Sequence, residues 1–269
     1  MSGLLHQPRA LIALMSVMAL VVACSTSPTG RRTLKLFPDE QMSEMGAAAY
    51  NETKQSSTIS TDPVARRYVA CVSSALTQLV PGSWEVTLFD DDSANAFALP
   101  GGKIGVFTGL LDVATNADQL AAVIGHEIAH VQAEHANERV STGYVAQAGL
   151  QIADAVSGAY GVANQRQIMS LLGLGAQVGV LLPFSRAQES EADVLGQVLM
   201  AKAGFDPRES VSLWQNMARQ AQGQPPEFLS THPSHGTRIE ELRRQFKQTV
   251  PIYEQARQSG QRPNCRDPR

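Results

Sequence analysis

Residues 116–131, N-A-D-Q-L-A-A-V-I-G-H-E-I-A-H-V, are the stretch that decides the fold of this protein. Asn116 can cap a helix whose third position is Gln119, an approximate capping box. Gly125 is the one helix-weakening residue in the stretch. At about 100° per residue, four apolar side chains share one face: Leu120, Ile124, Ile128 and Val131. The stretch therefore predicts a helix that packs one face against a core.

The same helix carries the motif H-E-x-x-H, from His126 to His130. The two histidines lie about 40° apart beside the apolar face, so both imidazoles can reach one ion. Glu127 falls between this pair and the core face, close enough to hold a metal-bound water. Two imidazoles and a carboxylate around Zn²⁺ leave a fourth position for water, as in catalytic zinc sites. We therefore predict one zinc ion per chain, with Glu127 as the general base.

A third ligand is expected from E-S-E-A-D at residues 189–193. Glu189 and Asp193 are four residues apart and share a helix face, so Asp193 could accept a hydrogen bond from a ligand histidine. We choose Glu189 as the ligand. Glu191 points to the other side of the helix and stays the alternative, because the sequence does not explain its environment.

Five segments of the chain resemble metallopeptidase family 48, which includes the prenyl-protein (CAAX) proteases and soluble periplasmic relatives. They are T-G-R-R-T-L at 29–34, N-A-F-A-L-P-G-G-K-I-G-V-F-T-G-L-L at 95–111, G-H-E-I-A-H-V at 125–131, F-S-R-A-Q-E-S-E-A-D at 184–193 and S-T-H-P-S-H-G-T-R-I at 230–239. The segments follow the family's order over nearly the whole mature chain. The length and the N-terminal signal described below are most similar to the lipoprotein members.

The resemblance implies a single α+β domain of the zincin type, mostly helical, with a small β-sheet and an active-site helix. It also implies zinc held by His126, His130 and Glu189, with Glu127 as general base and Asp193 behind the ligands. A strand near the start of the second segment is expected to line the cleft, where substrate could add as an extended strand. Its residues are Asn95, Ala96, Phe97 and Ala98.

Two further candidates lie in T-H-P-S-H-G-T-R at 231–238. A metalloprotease needs a positive group or hydrogen-bond donor that faces the developing oxyanion. His232 and Arg238 match family positions and suit this role; a surface loop before a helix is the alternative. His135 lies about 140° round the wheel from His130, so we expect it to be a surface or supporting residue and not a ligand.

The N-terminus has the pattern of a bacterial lipoprotein signal. The basic Arg9 precedes an almost unbroken apolar run over residues 10–23, which is shorter than a membrane-spanning helix needs. The run ends in V-V-A-C at 21–24, which resembles a lipobox. An ordinary secretory peptide with a chance cysteine is the alternative.

This pattern predicts three regions. We expect a signal peptide at 1–23, a tether at 24–37 that begins with a lipid-modified Cys24, and a metallopeptidase domain at 38–269. The resemblance to lipoprotein sorting signals implies the outer membrane, because Ser25 follows the cysteine where an Asp would favour the inner membrane. The protein would then face the periplasm of a Gram-negative bacterium. Several acyl chains on one cysteine would make the membrane attachment stable.

The remaining cysteines are expected to pair. With Cys24 lipid-modified, Cys71 and Cys265 are left in an oxidising compartment. We therefore predict a disulfide that clamps the C-terminal tail to the second helix, with two free thiols as the alternative.

Composition and patterning agree with one globular domain. The 269 residues are 43% hydrophobic, enough for a sizeable core, and a net charge of −3 gives no reason to expect nucleic acid as a partner. Helices are predicted from residue 38 to about 55, from 62 to about 80, and over most of the chain after 108. Strands are predicted at 84–88, 95–99 and 103–107, the last two joined by a Pro-Gly-Gly turn.

Residues 141–182 combine seven glycines with an apolar run from Ile168 to Leu182. The run is too short for a membrane span. A helical hairpin in the core is one interpretation, and a lid over the site or a membrane-contacting surface is the other.

The predicted function is zinc-dependent cleavage of peptide bonds in envelope proteins, with misfolded or misassembled proteins as the substrates that the resemblance suggests. Other envelope proteases or assembly factors are possible partners. The alternative is a periplasmic chaperone or assembly factor whose metal site is latched or residual.

Overall fold

The computed structural model describes residues 24–157, 184–220, 228–232 and 237–267. This part of the chain is mostly helical with two small sheets. The strands are β1 (Cys24–Thr26), β2 (Arg32–Leu34), β3 (Glu85–Phe89), β4 (Ala96–Leu99) and β5 (Lys103–Phe107). The helices are α1 (Asp39–Ser56), α2 (Pro63–Thr77), α3 (Thr108–Val113), α4 (Ala117–Gln132), α5 (His135–Ser157), α6 (Arg186–Lys202), α7 (Glu209–Gln220), α8 (Phe228–Thr231) and α9 (Arg238–Gln258). The α+β, mostly helical prediction is confirmed.

The three-stranded sheet has the order β3-β5-β4, with β3 parallel and β4 antiparallel to β5. The predicted turn joins β4 to β5, and Leu99 pairs with Lys103 across it. Gly101 and Gly102 both have positive φ there, at 80° and 71°, which glycine adopts without a steric penalty. Strand β4 is left at the edge of this sheet.

The H-E-x-x-H stretch forms α4 as predicted, and its ends follow from local chemistry. The side chain of Asn116 accepts a hydrogen bond of 2.8 Å from the backbone N–H of Gln119. The predicted apolar face is largely in the core: Leu120, Ile124 and Ile128 are fully buried. A helix end follows at Glu134, whose φ of 54° separates α4 from α5.

Helix α6 begins with a full capping box between Ser185 and Gln188, so the start of this helix is well defined. It crosses α4 where Gly196 faces Gly125. A Cβ on Gly196 would lie 2.8 Å from the backbone nitrogen of His126, closer than real contacts allow. The glycines therefore let the helix with the acidic stretch approach the helix with the histidines.

Residues expected to form a polar tether instead include a hairpin. Strands β1 and β2 pair antiparallel, with Cys24 opposite Leu34. The loop between them is held by side-chain contacts to α5 and α6, so it lies against the domain. The signal peptide itself is outside the described residues.

A disulfide joins Cys71 on α2 to Cys265 in the C-terminal tail, 194 residues later. The pairing predicted from the cysteine count is therefore present. Part of the segment at 141–182 lies in α5, and residues 158–183 are outside the described part of the chain, so the lid hypothesis stays a prediction. Within the described residues, none of the helices is long and apolar enough to span a membrane.

Candidate metal centre

The side chains of the two motif histidines converge on one point. Helix α4 presents His126 and His130 one turn apart, and their Nε2 atoms are 3.0 Å from each other. Both side chains are buried, at 4% and 3% exposure. The geometry matches the helical-wheel prediction that both imidazoles can reach a single ion.

Two more donors converge on the same place. Glu189 from α6 lies with Oε2 3.5 Å from His126 Nε2 and Oε1 3.4 Å from His130 Nε2. His232, just after α8, lies with Nδ1 3.0 Å from Glu189 Oε1 and 3.3 Å from His126 Nε2. One donor atom from each of these four residues lies within 4.8 Å of all the others.

These separations fit a zinc ion. Zinc bonds of about 2.0–2.1 Å in a tetrahedron place neighbouring donor atoms about 3.3 Å apart. The contacts among the four side chains run from 3.0 to 3.5 Å. Three imidazoles and one carboxylate also form a donor set that zinc prefers. The residues present therefore fit the ion that the sequence predicts.

The second nitrogen of His126 is held by Asp193, as the shared helix face predicts. His126 Nδ1 lies 3.0 Å from Asp193 Oδ1. Burial disfavours the charged imidazole, but the carboxylates of Asp193 and Glu189 outweigh it and raise the pKa of His126 to about 9. A carboxylate behind a ligand histidine orients the ring toward the metal.

Arg238 lies behind the donor set and not at its open side. Its Nη1 donates to Glu189 Oε2 at 2.8 Å and its Nη2 to Asp193 Oδ1 at 2.7 Å. The guanidinium stacks on Trp214, 3.5 Å from the ring centroid, and Arg238 is 1% exposed. The oxyanion-facing role expected from the sequence does not suit this position, because the two Nη groups hold carboxylates inside the core. The geometry supports a positioning role instead.

Glu127 is buried beside the donor set without joining it. Its Oε2 accepts a 3.1 Å hydrogen bond from the backbone N–H of Ala98. Among the described residues, Oε1 has no hydrogen-bond partner, and His232 Nε2 is 3.4 Å away. Burial raises the pKa of this carboxyl, while the neighbouring histidines oppose the rise. A buried carboxylate oxygen without a hydrogen-bond partner beside such a donor set is suited to hold a water.

The predicted cleft strand meets the site at one residue. The backbone N–H of Ala98 donates to Glu127, while the ring of the neighbouring Phe97 packs among those of Tyr50, Phe89 and Phe107. Asn95 precedes β4, and its side chain accepts a hydrogen bond from the backbone N–H of Ala96. The edge of β4 near Ala98 therefore borders the candidate site.

Of the two roles expected for His135, a surface or a supporting residue, the structure fits the supporting one, although sequence reasoning did not identify its contact with His130. His135 is fully buried, with Nδ1 2.9 Å from His130 Nδ1 and Nε2 3.1 Å from Glu191 Oε2. The wheel from His130 does not extend to His135, because the chain leaves the helix at Glu134. Glu191, the alternative third ligand, is thus not in the donor set. The available signal in the sequence was Glu191, whose environment the sequence left unexplained, because a buried carboxylate needs hydrogen-bond partners.

The partners of Glu191 come from the loop between β1 and β2. The hydroxyl of Thr29 donates to Oε1 at 2.6 Å, and Nε of Arg31 donates to Oε2 at 3.0 Å. Burial opposes ionisation, but hydrogen bonds from this loop and from His135 outweigh it and lower the pKa of Glu191 to about 2. The segment T-G-R-R-T-L thus contributes to the surroundings of the site.

Comparisons with known proteins agree with this geometry. Residues 61–245 match the family model described as Peptidase family M48. The mitochondrial metalloendopeptidase OMA1 of Bos taurus is 36% identical over 248 residues, which cover 84% of this chain and 46% of that protein. OMA1 of Schizosaccharomyces pombe is 36% identical over 208 residues, 76% of this chain and 57% of that protein.

A bacterial relative is also similar. The beta-barrel assembly-enhancing protease of Escherichia coli (strain K12) is 28% identical over 228 residues, 80% of this chain and 46% of that protein. The chain therefore spans about half the length of the curated relatives it matches.

Proposed function

The chain belongs to peptidase family M48, and on this premise we propose that it is a zinc-dependent endopeptidase. His126, His130 and Glu189 would hold the ion, and Glu127 would act as general base. The observation that carries the proposal is the convergence of His126, His130 and Glu189 beside Oε1 of Glu127, which has no hydrogen-bond partner among the described residues. A bound zinc ion would supply Lewis acidity and lower the pKa of its water.

The protein's own side chains would transfer the proton and position the ligands. Oε1 of Glu127 is placed to accept a hydrogen bond from a water at the donor set and then to take its proton. Burial raises the pKa of this carboxyl, which suits it to pass the proton on to the leaving amine. Asp193 and Arg238 hold His126 and Glu189 in position.

Substrate is proposed to bind as an extended strand along the outer edge of β4. The backbone groups of Ala96 and Ala98 face away from β5, because the N–H of Phe107 donates to the carbonyl of Asn95 and paired and unpaired residues alternate along an antiparallel strand. Their N–H groups already donate to Asn95 Oδ1 and Glu127 Oε2, so a substrate strand would donate to their carbonyl groups. Added strands gain affinity from main-chain hydrogen bonds, which do not depend on side-chain identity. This binding mode suits unfolded segments of many proteins.

A second candidate function rests on His232. Its Nδ1 belongs to the donor set, and a zinc ion with four protein ligands resembles a closed structural site and not an open catalytic one. This favours a chaperone or assembly factor with a latched site. In the peptidase proposal His232 would leave the donor set and face the oxyanion, since its Nε2 is near Glu127.

We place this activity in the bacterial envelope, where misfolded or misassembled proteins would be the substrates. Support comes from the sequence V-V-A-C at 21–24, which resembles a lipobox, and from the disulfide, which is typical of oxidising compartments. The names of the relatives include a mitochondrial enzyme and a bacterial beta-barrel assembly-enhancing protease. Attachment to the outer membrane through Cys24, with other envelope proteases or assembly factors as partners, is part of the proposal.

The decisive experiment compares Glu127→Gln with a matched control, Glu44→Gln, which changes an exposed glutamate on α1. The glutamine keeps the shape of the base but cannot take a proton. We expect Glu127→Gln to lower cleavage of an unfolded protein by about 10²–10⁴-fold while zinc stays bound. The control should cleave like the parent. Cleavage by Glu127→Gln at the parent rate would contradict the metallopeptidase mechanism and favour the chaperone function.

In cells, a comparison of the parent protein with Glu127→Gln distinguishes the peptidase function from the chaperone function. Peptide termini of envelope proteins should differ between cells with the parent protein and cells with Glu127→Gln. If the variant keeps the full cellular role of the parent, peptide cleavage is not that role.

A further inference from the structure

A line of buried hydrogen bonds runs from a ligand histidine to the N-terminal hairpin. It passes from His130 Nδ1 to His135 Nδ1 at 2.9 Å, and from His135 Nε2 to Glu191 Oε2 at 3.1 Å. It ends on Thr29 and Arg31, which donate to the two oxygens of Glu191. Elements that are about 100 residues or more apart in sequence thus meet behind the donor set.

The donors and acceptors along this line agree with one tautomer of each ring. Nε2 of His130 faces the donor set, so it must be free of hydrogen to bind a metal and Nδ1 must carry the ring hydrogen. That N–H can donate to Nδ1 of His135, whose Nε2–H then donates to Glu191. A carboxylate at the far end therefore fixes both rings and the face that His130 presents.

Arg31 attaches this line to two helices at once. Its Nε binds Glu191 on α6, and its Nη1 and Nη2 bind the two oxygens of Glu138 on α5 at 2.5 and 2.6 Å. Gln188, the third residue of α6 and a member of its capping box, donates to the same Glu138 at 2.9 Å. This forked contact needs a planar guanidinium, which lysine cannot replace.

We propose that the hairpin formed by β1, β2 and their loop is a component of the metal site, and that Thr29 and Arg31 are positioning residues for the ligand His130. The proposal rests on the proposed function, because it requires that His130 binds a metal. Removing the guanidinium leaves Glu191 buried with fewer donors, so the acceptor that orients His135, and through it His130, is less firmly held. Metal affinity should therefore depend on a loop that begins a few residues after Cys24.

Arg32, the neighbour of Arg31, provides a matched control because its side chain is exposed. The full-length protein with Arg31→Gln or Arg32→Gln is titrated with zinc against a chelator of known affinity. We expect Arg31→Gln to bind zinc about 10–100-fold more weakly than the parent, the range that loss of a supporting contact typically causes. Arg32→Gln should bind like the parent, and equal zinc affinity of the two variants would overturn the proposal.

Two measurements separate positioning from a structural role. Thermal unfolding with and without zinc should show a smaller zinc-induced rise in Tm for Arg31→Gln than for Arg32→Gln. The visible absorption spectrum of the Co²⁺-loaded protein should also change. A loss of Tm that is equal with and without metal, together with an unchanged spectrum, would show that the hairpin only stabilises the fold and would overturn the proposal.

Two less disruptive variants test the proposal even if Arg31→Gln does not fold. Thr29→Val removes one hydroxyl donor, and Glu191→Gln keeps the shape of the carboxylate; both should weaken zinc binding in the same direction. Parent-like zinc affinity in both would contradict the proposal. Failure of the parent protein itself to bind zinc would instead refute the proposed function, so the two failures are distinguishable.

Discussion

Gly196 lies directly against the backbone of His126, so that the helix bearing Glu189 and the helix bearing the histidines are in van der Waals contact beside the donor set. A Cβ added to Gly196 would be 2.8 Å from the His126 nitrogen and 2.9 Å from its Cα. This contact sets the separation between α4 and α6. The distance between the donor atoms of Glu189 and the histidines depends on it.

Gly196→Ala should therefore damage both stability and the metal site. Alanine normally stabilises a helix interior relative to glycine by about 1 kcal/mol, but here overpacking should cost about 1–3 kcal/mol and separate the helices. Gly125→Ala is the matched comparison, since its Cβ would meet the Gly196 oxygen at 3.1 Å, a contact that a small shift can relieve. Urea unfolding and zinc titration of both variants test this, and equal effects would contradict it.

The ligand assignment predicts different results for neighbouring acidic residues. Glu189→Ala, like His126→Ala and His130→Ala, should lose zinc on dialysis because an atom of the donor set is missing. Glu191→Gln should bind zinc more weakly yet still fill one site per chain when zinc is in excess. Metal content measured on the purified variants decides the matter. If Glu191→Gln loses all zinc and Glu189→Ala loses none, the third ligand is wrong.

Arg238 should matter more for stability than any exposed arginine. Arg238→Met removes the guanidinium that bridges the buried carboxylates of Glu189 and Asp193, and breaking a buried pair in this way typically costs about 3–5 kcal/mol. Arg243→Met, on the exposed side of α9, is the control and should cost little. Denaturant unfolding of the metal-free proteins gives both values. A neutral effect of Arg238→Met would show that the carboxylates do not need it.

The disulfide should contribute substantially to stability. It closes a loop of 194 residues, for which chain-entropy models give about 5 kcal/mol, and measured values are often lower. Cys71→Ser and Cys265→Ser should each lower Tm, and a reducing agent should lower Tm of the parent but not of the variants. Alkylation of the denatured, unreduced parent should label neither cysteine. Labelling of both would rule out the bond.

Local features of the site could be predicted from the sequence because they depend on regular spacing. His126 and His130 share a helix face through the helical repeat, Asn116 caps that helix through its own side chain, and the turn after β4 needs glycines. Glu189 and Asp193 share a face for the same reason. The family resemblance also rested on these local segments, which follow one another along the chain in the family's order.

Tertiary packing alone determined which distant groups meet. Arg238 could be expected in the site, but only the packing of α9 against α6 places it behind the carboxylates and not at the oxyanion. His135 reaches His130 because Glu134 redirects the chain, and Glu191 is satisfied by a loop 160 residues earlier in the sequence. The helical repeat determines which residues share a face of one helix, whereas contacts between helices depend on how closely their backbones approach, which here required Gly196.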